Sequence, residues 1–244
     1  MTVDLRNSEP ISGLSTNSKE YIFSNRYNMY NDNYRDQVLK RLYEISQVAA
    51  ELGIDRQIDM TNNVYKTIVN KISRVYISGV EREFADKNME AVYKDNRIDK
   101  YMKQANRYVN AFNDVLMQVA WEKENNKTKF IFRYPHKTRV ILDDMGDPSE
   151  VEYFIEMYTD GVEKWAYWSM SEHYYKLYKT DGSYVEQALK GNDGKVNPYD
   201  VLPFVFMQNG FRDRGFFDLY TGNNLIKVQL EIAVLNNFKQ YMIK

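Results

Sequence analysis

The chain has 244 residues, enough for one large domain or two small ones, and its 33 basic against 34 acidic side chains give no support to a strongly basic nucleic-acid binder. It contains no cysteine, which excludes disulfides, zinc–thiolate sites and cysteine nucleophiles and fits a reducing compartment. No apolar run approaches the ~18–20 residues that span a bilayer, and the N-terminus has no hydrophobic signal core, so a soluble intracellular protein is the default expectation.

Residues 1–18 read as a polar leader. From Tyr27 the apolar positions Tyr30, Tyr34, Val38, Leu42, Ile45, Ala49 and Leu52 step by three and four, which predicts one helix stopped at Gly53. A second helix is expected from a Thr61 N-cap through Val64, Ile68, Ile72, Val75 and Tyr76 to about Gly79, and a short one over 84–93. Ile98, Tyr101, Ala105, Tyr108, Phe112, Val115 and Val119 predict a third long helix, capped by Asp95 or Asn96.

After a polar break at 122–127 the period changes to two. Phe130, Phe132 and Tyr134 alternate with polar or outward positions, and strand-like runs follow at 139–142, 151–158, 164–169, 174–178 and 184–189. Asp160-Gly161, Asp181-Gly182 and Asp193-Gly194 mark hairpin turns. Residues 129–207 therefore read as one antiparallel meander with an aromatic outer face of Trp165, Tyr167, Trp168, Tyr174, Tyr175 and Tyr178. Pro203 removes a ladder donor and marks 204–207 as an edge strand. A final helix capped by Asp218 or Thr221 is expected to bury Leu225, Val228, Ile232, Leu235, Phe238 and Met242. Its stripe still runs at Lys244, as in a helix cut short by processing or by belonging to a longer chain. Helices followed by a meander define an α+β fold, divided into a leader at 1–18, a helical part at 19–128, a sheet part at 129–216 and a terminal helix at 217–244.

Catalytic patterns are missing from the sequence. The nearest fragment to a phosphate loop, Gly191-Asn192-Asp193-Gly194-Lys195, has the wrong spacing and Val196 in place of the hydroxyl, so it reads as a hairpin turn. His136 and His173 have no helical histidine partner and read as structural. Asp143-Asp144 and Glu150/Glu152 are acidic pairs, which a glycosidase would need to face across a groove. Turn formation is the plainer reading, and Asp143-Asp144-Met145-Gly146-Asp147 lacks calcium-loop spacing. The aromatic sheet could stack sugars or bases, or serve as a packing face or subunit interface. Lys66, Lys71 and Arg74 could touch phosphate or form a solvated face. Asn126-Lys127-Thr128 matches a glycosylation triplet of a kind common by chance. No catalytic, cofactor or metal residue is assigned.

Asn197-Pro198-Tyr199, Leu202-Pro203-Phe204-Val205, Asn209-Gly210, Phe216-Phe217-Asp218 and Leu225-Ile226 together resemble a pattern in tailed-phage portal proteins, an "NPYG-x-IPF" strand followed by a short loop and a long helix. Tyr76, Gly79 and Val80 are similar to that family's helix-ending turn, residues 106–121 to one of its helices, and Trp165, His173, Tyr174 and Gly182 to its hairpins. The likeness covers roughly residues 60–230, departing at Asp200, where the family often has glycine, and at 121–126, where a glycine turn is common. It implies a ring of identical subunits, normally twelve, at one capsid vertex of the virion. Such a ring contacts capsid or scaffold protein, the terminase large subunit, a head–tail adaptor and the double-stranded DNA that passes through it. Residues 129–207 would belong to the wing and 225–244 to the first stem helix. The alternatives are another virion or adaptor protein, or a carbohydrate-binding or hydrolytic domain using Trp165, Trp168 and Asp143/Asp144.

Overall fold

The computed structural model describes residues 18–46, 53–54, 58–76, 82–122, 124, 127–189, 194–210 and 216–243. The fold is α+β, as the sequence predicts. Helix α1 (Lys19–Tyr30) starts at Ser18, whose hydroxyl accepts from the Tyr21 amide. The long helix expected from Tyr27 to Leu52 is instead broken after Tyr30. Asn31 caps α1, Asp32 takes a positive φ of 60°, and the Asp32 and Asn33 amides donate back to the Met29 and Asn28 carbonyls, closing a Schellman turn. The Asn-rich stretch supplies the residues that tolerate this conformation. Helix α2 (Arg35–Ile45) then carries Val38 and Leu42 into the core, while Ala49 and Leu52 lie outside the described residues.

Helix α3 (Val64–Ile72) is capped by Asn63, not Thr61, and tightens into a 3₁₀ turn over Ser73–Tyr76. Asp86 caps α4 (Lys87–Asp95). Neither Asp95 nor Asn96 caps α5 (Ile98–Phe112). Arg97, at φ 52°, precedes it, and Asn96 instead closes α4 and accepts from the Thr128 amide. The helix also ends earlier than expected. Asn113 turns left-handed, at φ 64°, and the chain enters strand β1 (Asp114–Glu122). Val115 and Val119 fit a helical step of four, but with Met117 and Trp121 they also fit a step of two, and the β-branched run resolves as strand. The helical part thus stops at Phe112, short of 128, and the resemblance's helix over 106–121 is half helix and half strand.

Strands β2 (Lys127–Arg133), β3 (Thr138–Leu142), β4 (Pro148–Met157), β5 (Glu163–Ser169), β6 (His173–Tyr178), β7 (Tyr184–Gln187) and β8 (Phe204–Gln208) complete two antiparallel sheets before α6 (Asn223–Ile243). The single meander expected over 129–207 is divided between them: β3 to β7 pair consecutively, but β2 and β8 flank β1 in a separate sheet of order β2-β1-β8. Tyr101 and Tyr108 of α5 pack on Phe130 and Phe132 on one side of the small sheet. On its other side Leu116 and Phe204 meet Val151, Ala166 and Trp168 of the large one. A second core gathers Phe23, Tyr34, Leu42, Val69 and Phe112 from the helices with Ile226, Ala233 and Val234 of α6.

Candidate functional site

The motif residues singled out in the sequence follow one path, from the β5–β6 turn along edge strand β8 to a joint at the root of α6. Asn197 is its first anchor and is 1% exposed. Its amide donates to the carbonyls of Ser169 (2.8 Å), Met170 (3.1 Å) and Val201 (2.9 Å), and its side-chain oxygen accepts from the Tyr199 amide (3.0 Å). One side chain thus ties the 197–201 loop to the β5–β6 turn. Only an amide supplies both donors and an acceptor here. Asn197→Ala is expected to cost about 2–3 kcal/mol in urea unfolding, and Asn197→Asp about as much, since a carboxylate cannot donate to three carbonyls.

Pro198 is exposed, and Tyr199 stacks on Trp168 at 6.2 Å. Asp200 has a φ of 52°, a conformation that glycine takes most easily and aspartate tolerates. Pro203 delivers the last rung between β8 and β1, its carbonyl accepting from the Val119 amide at 2.8 Å. Strand β8 lies at the edge of its sheet, as the proline predicts. Beyond this rung Trp121, Tyr199, Val201 and Pro203 line an apolar cleft of about 350 Å³. Asn209 closes the strand through its amide to the Asn113 carbonyl, and residues 211–215 lie outside the described residues.

The chain reaches α6 through a second anchor that sequence reasoning missed. Arg26, 1% exposed, projects from α1 and donates to the carbonyls of Phe112 (3.2 Å), Asp218 (3.1 Å), Leu219 (3.4 Å) and Thr221 (2.8 Å) and to Asn223 Oδ1 (2.9 Å). Phe217 packs edge-on to Phe23 and Phe216. Asp218 does not cap α6. Its Oδ1 accepts from Tyr220 and Thr221 in the preceding turn, and its amide donates to Asp114 Oδ2. Thr221 offers its carbonyl to Arg26 and Asn113, and Gly222, at φ 84°, accepts the first helical bonds from Leu225 and Ile226.

Helix α6 presents a different face from the one expected. Ile226, Gln229, Ala233, Val234 and Asn237 are buried, Leu225 and Phe238 pack beside them, and Val228 and Leu235 are exposed. The two buried amides explain the error. Gln229 Oε1 accepts from the Val64 and Tyr65 amides, capping α3 from another helix, while its amide donates to Tyr34 and the Asn62 carbonyl. Asn237 accepts from the Asp59 amide and donates to its carbonyl. Polar residues in the core face and apolar ones outside it erase the amphipathic signal. The helix is therefore docked on its own chain along one side, with the opposite side bare.

The other candidates resolve as structure. The outer face of the large sheet is not an open stacking surface. Arg139 lies 4.0 Å over Trp165, Lys176 lies 4.0 Å over Tyr167, and both cations pair with the buried Glu152 at 3.2 and 2.5 Å. Trp168 points to the opposite face of β5, into the core, so Trp165 and Trp168 cannot form one platform. Asp143 Oδ1 accepts from the Met145 and Asp147 amides in the β3–β4 turn, and Glu150 sits on the strand beyond it. His173 lies flat on Trp168, ring centres 3.3 Å apart, with Nδ1 2.9 Å from the Tyr167 carbonyl; burial lowers its pKa to about 4. His136 packs between Tyr27 and Tyr134, and burial with the Lys137 and Lys19 charges lowers it to about 4 as well. Lys66 pairs with Asp32, whereas Lys71 and Arg74 stay exposed. Residues 191–193 of the phosphate-loop-like fragment, Gly79, Val80 and Asn126 lie outside the described residues.

Among the described residues no cluster of histidine and carboxylate side chains could hold a metal ion, and no helix is long and apolar enough to cross a membrane. The geometry defines an α+β protein whose motif residues serve a structural joint. No family model and no curated protein matches the chain.

Proposed function

We propose that the chain is a non-enzymatic subunit of a phage portal ring, the wing and the start of the stem. The observation that carries this reading is the joint itself. The motif residues Asn197, Pro203 and Phe204 lead an anchored loop into edge strand β8, and Phe217, Asp218 and the Arg26 clamp then aim a 21-residue helix whose outer side is bare. A closed head-to-tail ring needs two different complementary surfaces on each subunit. The outer ridge of α6, with Val228 and Leu235 two turns apart, supplies one of them. The near-even charge suits a conduit, because a tight grip on phosphate would slow translocation. On this reading the partners are further copies of the chain, capsid or scaffold protein, the terminase large subunit, a head–tail adaptor and double-stranded DNA, and the protein sits at a capsid vertex.

Micrographs and native mass of the intact protein test it. Rings with an axial channel are expected, and a strict monomer at high concentration overturns the reading. Val228→Asp with Leu235→Asp is expected to weaken assembly at least tenfold and leave the melting temperature within about 2 °C, since both side chains are exposed in the subunit.

A further inference from the structure

Asn209-Gly210 is the only Asn-Gly step in the chain, and it stands where β8 ends. Both residues are exposed. The Asn209 backbone is held in place, its amide donating to the Asn113 carbonyl at 2.8 Å. Among the described residues its side chain makes no hydrogen bond, and neither does the Gly210 amide. Gly210 has a φ of 96°, and nothing lies within 4 Å of where a Cβ would stand, so water reaches the step from that side. The two described Asp-Gly turns are built the other way. Gly161 donates its amide to the Tyr158 carbonyl (3.0 Å) and Gly182 to the Lys179 carbonyl (2.9 Å). Asp160 and Asp181 each accept from the amide two places on, of Val162 (3.3 Å) and of Ser183 (2.8 Å). The other asparagines of the joint are committed as well: Asn197, Asn113 and Asn223 all donate their side-chain amides to backbone carbonyls.

We infer that Asn209-Gly210 is a site of spontaneous deamidation in the folded protein. The Gly210 nitrogen bonds to the Asn209 side-chain carbon, the bond from that carbon to the amide nitrogen breaks, and ammonia leaves with the Gly210 proton. Water then opens the cyclic imide at either carbonyl. One product is aspartate. The other is isoaspartate, whose main chain runs through the former side chain and is longer by one carbon. Glycine permits the attack because no Cβ crowds its nitrogen. An amide that already donates to a carbonyl must first give up that bond, which protects Gly161 and Gly182. Both products add a negative charge. Isoaspartate also lengthens the link between β8 and Phe216, whose carbonyl accepts from the Gln208 side chain (2.8 Å), just ahead of the turn that Arg26 holds. The step is thus an age-dependent change of charge and chain length at the root of α6. The inference goes beyond the ring reading and is independent of it, because the chemistry needs only a single copy and water.

Incubation of the intact protein at about pH 8 and 37 °C, folded and in about 8 M urea, followed by peptide mapping, tests it. An isoaspartyl carboxyl methyltransferase labels the rearranged product. In the folded protein Asn209 is expected to convert at least about tenfold faster than Asn113, Asn223 or Asn237, and within about tenfold of its own rate in urea. Asp160 and Asp181 should yield isoaspartate in urea only. Asn209→Gln, which lengthens an exposed side chain without partners, should keep the parent's circular dichroism and leave the peptide that carries it at its starting mass. Asn209 unchanged in the folded protein while it converts in urea overturns the inference. So does conversion no faster than at Asn223, or isoaspartate forming at Asp160 in the folded protein as quickly as at Asn209. None of these outcomes touches the ring reading, which native mass reports separately.

Discussion

Replacing Arg26 with methionine is expected to remove about 3–5 kcal/mol of folding stability and to lower the melting temperature by roughly 10 °C or more. The guanidinium is 1% exposed and spreads over five acceptors drawn from the end of α5, the 218–221 turn and the first residue of α6. Methionine fills most of the volume but withdraws the guanidinium from all four carbonyls, of which those of Thr221 and Leu219 keep a second donor, from Asn113 and Asn223. Arg26→Lys should recover only part of the loss, because an ammonium has three donors and no planar fork. Hydrogen exchange gives the local readout: the amides of the 218–226 segment should open before those of α2 or the large sheet. A loss below 1 kcal/mol in urea unfolding would show that the turn holds itself and that Arg26 is not its clamp.

Acid should destabilise the protein progressively from about pH 6.5 downward, before most carboxylates titrate. His136 and His173 are neutral in the fold, with pKa values lowered to about 4, against about 6.5 in an unfolded chain. Between pH 6.5 and 4 the unfolded chain therefore binds protons that the folded one refuses, and stability falls as pH falls. At about 1.4 kcal/mol per pH unit, His136 alone accounts for roughly 3 kcal/mol, fully lost near pH 4. His173, lowered to the same value by burial against the opposing pull of the Tyr167 carbonyl, adds a share of the same order. Urea midpoints measured from pH 7 to pH 4.5 should drop steeply, and His136→Phe should flatten the curve. A midpoint independent of pH across that window would mean that the two rings are already protonated or open to water.

Several elements were legible in the chain because their causes are local. Alternation with Asp-Gly turns marked β3 to β7, Pro203 marked an edge, and the three- and four-step apolar rows marked α2, α3 and α5. The errors cluster where two local patterns compete. Val115 and Val119 satisfy both periods, and only the left-handed Asn113 decides between them. In α6 apolar residues occur all round, so no period could choose between the side of Val228 and Leu235 and the side of Ile226 and Ala233. Arg26, Gln229 and Asn237 left no signal at all: a buried cation or amide reads as surface until its partners, often more than 150 residues away, are known.

The sequence by itself determined the α+β class, most of the strands, the edge character of β8 and the absence of cysteine chemistry, since each depends on residue type, spacing or turn propensity within a few positions. The tertiary structure alone decided that β1 joins β2 and β8 in a sheet of their own, which side of α6 docks, and that Arg26 sets the root of that helix. It also decided that the buried Glu152 meets both Arg139 and Lys176 on the large sheet. Those outcomes depend on which distant backbone groups need a hydrogen-bond partner once water is excluded, and on which charges find a counter-ion. Both are properties of proximity in space rather than of order along the chain.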